Sequence, residues 1–500
     1  MESAARFSFY GEEGGGSKAV HMGAIRNGAL IAIVVAVAYF VNDKLYTHLQ
    51  LHIDGGVSEV RFKPVLEAFS WTHLCRTYLR VLISNRIDGF SGINDKLYTH
   101  LQLHIDGGVS EVRFKPVLEA FRRNFEDGWE REGAALAVYY KGKKVVDVWG
   151  GYADRQAARK WQKDTLTVTF STTKAVAALC IAMLVDRGVL QYDDLVTKHW
   201  PEFGRHGKGN VTVQMALSHM AALAYIDEPI TEQMASDHSA MKRLLENEIP
   251  KWPPGTKSGY HAYTYGWIVD QLVRAVDQRK RGIGQFFSEE IAQKLDVDYF
   301  IGLPKEQQYR VARMSLPTVM GSIGELVTDT GVIKYFFTYI MLFKKTMLAK
   351  VHDNPEWLQA VFHLTFNNPD YHRLEQPAVL GIGNARSLAK MFNMLSSGQL
   401  VGGTTLQKMK KIYVNETDVV LHDRLAKGNG FFYFDVNRAG AEYAFGHTGH
   451  GCQQITYDPF NDLTIAYVTN GLKVGLYMLC RTYARLHTSI YDVLENVALH

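Results

Sequence analysis

Residues 175–185, Ala-Val-Ala-Ala-Leu-Cys-Ile-Ala-Met-Leu-Val, offer no polar position on any helical face. A run of that kind, closed by Gly188, predicts a helix buried all round. Leu166-Thr167-Val168-Thr169-Phe170 precedes it and is rich in strand formers. Elsewhere the alternation is that of strands. Residues 133–140, a turn at Lys141-Gly142 and residues 144–149 read as a hairpin. Four further strands are predicted late, at 430–436, 441–445, 453–457 and 463–468, with a closing helix over 476–497. The turn Trp252-Pro253-Pro254-Gly255-Thr256 leads into a helix over 263–276. Strands from both chain ends with helices between them predict an α+β protein of two lobes: an antiparallel sheet flanked by terminal helices, and a helix-rich lobe from the middle of the chain.

Candidate chemistry sits at the seams of this pattern. Ser171 and Lys174 lie three apart, hence one turn apart on one helical face, where the apolar helix begins. A serine hydroxyl needs a nearby base to become a nucleophile, and a lysine whose pKa is lowered by burial supplies one. The helix dipole would point at that serine. A serine N-cap beside a snorkelling lysine explains the same four letters. Tyr260, after the Pro-Pro-Gly turn, could share a proton with Lys174, or could simply pack beside the turn. Phe445-Gly446-His447-Thr448-Gly449-His450-Gly451 lies between two strand-like runs. Its glycines mark either a close backbone approach, suited to an acyl group bound along a strand edge, or a hairpin bend.

Taken in this order, Ser171-x-x-Lys174, Tyr260-x-Ala262 and His447-Thr448-Gly449 resemble the motifs of the serine beta-lactamase and penicillin-binding-protein superfamily. The likeness is closest to the class C beta-lactamase-like esterase branch, which includes a mitochondrial beta-lactamase-like protein of animals. Leu217-Ser218-His219, Trp149-Gly150-Gly151-Tyr152 and Gly383-Asn384-Ala385-Arg386 fit other phrases of that family, and the match runs over about residues 115–490. The resemblance implies a beta-lactamase/DD-peptidase-like fold. It implies Ser171 as acylated nucleophile, Lys174 as its activating partner and Tyr260 as general base. His447, Thr448, Gly449 and His450 become the substrate-binding edge, with the N–H groups of Ser171 and His450 as oxyanion donors. Two departures bear on substrate. Ala262 replaces the asparagine that holds an antibiotic's amide, and His447 replaces a permanently cationic lysine. Both favour a small-molecule ester or peptide-like substrate over a penicillin. A serine hydrolase of this kind requires no cofactor and no metal. The alternative within the resemblance is a catalytically silent, filament-forming structural protein, and a homo-oligomer is compatible with either.

Composition adds limits. A formal charge of +4 over 500 residues, without a basic stripe carrying interleaved aromatics, argues against nucleic acid. Cys75, Cys180, Cys452 and Cys480 show no paired spacing, which excludes a disulfide scaffold or a zinc site of usual spacing. Residues 28–41 form an uncharged apolar run behind Lys18 and Arg26. They read as a signal or membrane anchor placing the catalytic region on the non-cytoplasmic side, with a mitochondrial destination as the alternative. Residues 42–69 recur letter for letter at 94–121. A perfect, single repeat differs from solenoid repeats, which diverge and multiply, and points to a recent duplication or a gene-model error. The expected organisation is therefore a tail and apolar segment (1–41), a duplicated segment and spacer (42–93) and a catalytic domain (94–500). The aromatic patch 335–343 fits a core helix of the middle lobe, the wall of an acyl pocket or a membrane contact.

Overall fold

The computed structural model describes residues 101–436 and 443–498. In chain order the elements that frame the site are β1 (Ile105–Val109), α1 (Lys115–Glu126), β2 (Gly133–Tyr140), β3 (Lys143–Asp154), α2 (Thr172–Asp186), α3 (Thr264–Val276), α4 (Ile333–Leu342), α5 (Ala385–Asn393), β4 (Val414–Thr417), β5 (Arg424–Gly428), β6 (Phe431–Phe434), β7 (Ala444–Gly449), β8 (Gln453–Asp458), β9 (Leu463–Thr469) and α6 (Arg481–Ala498). The sheet runs β1-β3-β2-β9-β8-β7-β6-β5-β4, with every neighbouring pair antiparallel. The two chain ends meet where β2 pairs with β9, from Leu463 opposite Tyr140 to Thr469 opposite Ala134.

Period-two alternation sorts the sheet's side chains between two cores. On β2, Leu136 and Val138 face one way, and on β9 Ile465 and Tyr467 join them against α1 and α6, through Phe121, Leu486 and Ile490. Ala135, Ala137, Ala466 and Val468 face the other way, toward α5, which packs on β2 and β9. Small residues there let α5 lie close to the sheet, while α2 packs against β7 and β8, and every residue from Thr172 to Val185 is buried. The all-round apolar run thus has the environment its composition requires.

The hairpin 133–149 forms as expected, with β3 continuing to Asp154. Three expectations are corrected. The glycine motif is not a bend between strands: Gly446 to Gly449 lie within β7 itself, paired to β8. The closing helix starts at Arg481 rather than 476, because Tyr477–Leu479 forms a separate 3-10 turn. Cys452 and Cys480, although 28 residues apart without a spacing signal, are joined by a disulfide; the sheet brings the turn after β7 to the start of α6. Cys180 is free and buried in α2. The apolar run 28–41 and the duplicated segment 42–93 lie outside the described residues. Among the described residues, no helix is long and apolar enough to cross a membrane.

Candidate active site

Ser171 is the N-cap of α2 rather than a residue of its first turn, and its side chain makes no capping bond. Phe170, just before it, is held at φ +46°. A bulky side chain in the left-handed region is strained and persists only where its surroundings impose it. They do so here: Thr169 N–H donates to Gly381 O at 2.8 Å, Thr172 Oγ1 donates to Thr169 O at 2.8 Å, and Thr173 Oγ1 accepts from Gly381 N–H at 2.9 Å.

Lys174 is fully buried, and its Nζ lies 3.2 Å from Ser171 Oγ. Its other polar neighbours are main-chain carbonyls, Ala262 O at 2.8 Å and Ala378 O at 3.0 Å. Burial holds its pKa well below the ordinary lysine range. Three acceptors around Nζ suit an ammonium, whereas burial favours the amine. A neutral amine reconciles the two: its N–H bonds go to the carbonyls and its lone pair turns to the serine O–H. The Tyr260 ring lies 4.8 Å from Nζ, and burial pushes its pKa up against a smaller lowering influence of Ser171. Both groups are therefore driven toward their uncharged forms.

Tyr260 is placed by its main chain. Its N–H donates to Asp418 Oδ1 at 3.0 Å, and the same oxygen accepts from Val420 N–H and Leu421 N–H at 2.9 Å each. Asp418 Oδ2 pairs with Lys427 Nζ at 2.5 Å, both side chains being buried. Desolvation lowers the Lys427 pKa and the Asp418 charge opposes that shift. His219, at φ +63°, lies beside the Tyr260 ring at 4.8 Å and accepts from His261 N–H at 3.1 Å. Sequence reasoning missed Asp418 and Lys427; nothing in their spacing to Tyr260 marks a brace made more than 150 residues away.

β7 supplies the third side. A Cβ on Gly449 would stand 2.4 Å from Thr169 O, so only glycine lets this strand press against the segment leading to Ser171. Thr448 and His450 line a cavity of ≈770 Å³ that also borders Ser171 and Tyr260. His450 Nε2 donates to Ala360 O at 3.1 Å, and burial lowers its pKa to about 4. His447 does not line that cavity. Its ring stacks on Phe432 with centroids 4.1 Å apart, and its Nδ1–H donates to Thr448 O at 2.6 Å. Burial first, then Lys174, holds its pKa well below the ordinary histidine value. The structure thus brings Ser171, Tyr260, Thr448 and His450 around one opening, with Lys174, His447 and Gly449 behind it. Among the described residues no cluster of His, Cys, Asp and Glu suits a metal ion.

Residues 121–488 match the family model described as Beta-lactamase. The esterase/beta-lactamase LipL of Mycobacterium tuberculosis is 31% identical over 386 residues, 74% of this chain and 84% of that protein. A penicillin-binding-protein homologue from Caulobacter crescentus superposes with a TM-score of 0.65 at 32% identity, over 78% of this chain and all of its own. A family VIII carboxylesterase superposes with a TM-score of 0.67 at 28% identity, over the same shares. Since the family model spans residues 121–488, most of the chain, and a relative of 31% identity covers 74% of it, this chain belongs to the beta-lactamase family.

Proposed function

We propose that the chain hydrolyses carboxylic esters through an acyl-Ser171 intermediate. Membership of the family makes it a serine hydrolase, and relatives named esterase and carboxylesterase support the ester substrate. The observation that carries the reading is the 3.2 Å contact between Ser171 Oγ and a fully buried Lys174 whose other polar contacts are carbonyls. Serine Oγ attacks the ester carbonyl carbon, and its proton passes to the Lys174 amine. Lys174, now an ammonium, returns that proton through the Tyr260 hydroxyl to the departing alkoxide. Water repeats the sequence on the acyl-enzyme and releases the acid. The reading gives the base role to Lys174 rather than Tyr260, because burial raises the phenol's pKa and lowers the amine's. The N–H groups of Ser171 and His450 serve as oxyanion donors, each worth about 10²–10³ in rate. A neutral His447 where the family has a cationic lysine, and Ala262 where it has asparagine, favour a neutral ester over a penicillin.

The test is labelling of the full chain by a fluorophosphonate probe, beside Ser171→Ala and Lys174→Ala. Stoichiometric labelling that both variants lose is expected. A folded wild-type protein that takes no label would refute the reading and favour a silent structural protein. We place the catalytic region on the non-cytoplasmic side of a membrane. The buried Cys452–Cys480 disulfide supports an oxidising compartment, and the apolar run 28–41 supports an anchor or signal. Protease treatment of intact and opened vesicles from expressing cells checks this; digestion of the catalytic region from the cytoplasmic side would overturn it.

A further inference from the structure

The cavity beside Ser171 has a wall that the chemistry of acyl transfer does not require. Helix α4 contributes Phe337, Met341 and Leu342 to it, and Phe366, Phe434 and Leu479 come from other segments. Pockets for small ligands span roughly 300–1,000 Å³, so ≈770 Å³ exceeds the needs of an acetyl group by a wide margin. The lysine and the arginine on this wall are engaged. Lys334 pairs with Asp423 at 2.6 Å, Arg424 donates to Asn415 Oδ1 at 3.1 Å, and His450, with a pKa of about 4, is neutral at pH 7. Nothing among these groups calls for an anionic substrate. Phe337 is 54% exposed and Met478 37% exposed, although both border the cavity. Apolar side chains of this size at a cavity mouth provide a greasy rim through which an aliphatic chain enters.

We infer that this cavity is an acyl-chain site, and that the preferred substrates are esters of unbranched aliphatic acids several methylenes longer than acetate. The inference rests on the esterase reading of Ser171 and specifies its substrate class. Each methylene moved from water to an apolar wall raises transition-state affinity about threefold to fourfold. A p-nitrophenyl ester series keeps the leaving group constant while the acyl chain grows. With the full chain, kcat/KM is expected to climb by that factor per methylene from acetate to at least octanoate, and then level as the cavity fills.

Met341→Trp fills the cavity from α4, and Phe337→Ser removes the rim at an exposed site where folding is undisturbed. Each is expected to lower the ratio of octanoate to acetate turnover at least tenfold. A wild-type protein that takes the fluorophosphonate label but turns over acetate as fast as octanoate would overturn the acyl site and leave the esterase reading standing. An octanoate-to-acetate ratio unmoved in Phe337→Ser would overturn it equally. Absence of both labelling and ester turnover would sink the two together.

Discussion

Asp418→Asn isolates the brace behind Tyr260. The substitution keeps Oδ1 as acceptor for the N–H groups of Tyr260, Val420 and Leu421, but it turns an amide toward the Lys427 ammonium. Both side chains of the pair are essentially unexposed, at 0% for Asp418 and 1% for Lys427. Breaking a buried pair on one side costs about 3–5 kcal/mol, because the remaining charge stays desolvated. The chain has one escape, deprotonation of Lys427. From an ordinary lysine pKa, that costs at most about 5 kcal/mol at pH 7, which sets the ceiling. Urea unfolding followed by tryptophan fluorescence measures the loss as a shift of midpoint at constant slope. A loss of about 3–5 kcal/mol is expected for Asp418→Asn. Asp418→Asn combined with Lys427→Met is expected to recover more than half, since no buried charge then remains. A single variant that loses under about 1 kcal/mol, or a double variant as unstable as the single, would show that the pair does not hold Tyr260 in the way described.

Three other outcomes are expected. Gly449→Ala drives a Cβ to 2.4 Å from Thr169 O, so fluorophosphonate labelling of Ser171 should slow at least tenfold, whereas Gly403→Ala, with open space at its Cβ, should leave it unchanged. Stability should fall on acidification from pH 7 to 5. His261, His450 and His487 have native pKa values of about 4, so the unfolded state binds more protons below about 6.5, and each group costs up to about 2 kcal/mol by pH 5; calorimetric unfolding at the two pH values checks this. The rising limb of kcat/KM with pH should keep its midpoint in His447→Gln, because His447 is held neutral and Lys174 titrates instead; a shifted or missing limb would transfer that titration to His447.

Much of the site was legible because its chemistry travels in short, contiguous motifs. Ser171 and Lys174 share a helical face by spacing alone, and the apolar letters after them announce burial. The glycines of 445–451 marked either a close approach or a hairpin bend, and at Gly449 the structure shows an approach, by Thr169 O rather than by a ligand. What stayed hidden was long-range. Asp418 reaches Tyr260 across 158 residues, and Cys452 reaches Cys480 only because the sheet folds between them. His447 was placed at the substrate edge by analogy of motif; its stacking on Phe432 depends on a neighbouring strand, which no local pattern reports. The patch 335–343 fits a core helix or a cavity wall on sequence alone; the structure places α4 on the cavity, with Lys334 at its start paired to Asp423 on the facing loop.

The pairing of β2 with β9 also sets an order of events during synthesis. More than three hundred residues separate Tyr140 from its partner Leu463. β2 and β3 leave the ribosome long before the strand that completes their sheet exists, and their apolar faces must wait for it. A nascent chain that has already made α2 carries Ser171 and Lys174, but not the β7 edge that supplies Thr448 and His450. On the proposed mechanism such a chain lacks one oxyanion donor and the substrate edge. The same delay leaves an unpaired strand edge open to other chains, so folding of this protein should be slow and sensitive to crowding of nascent molecules.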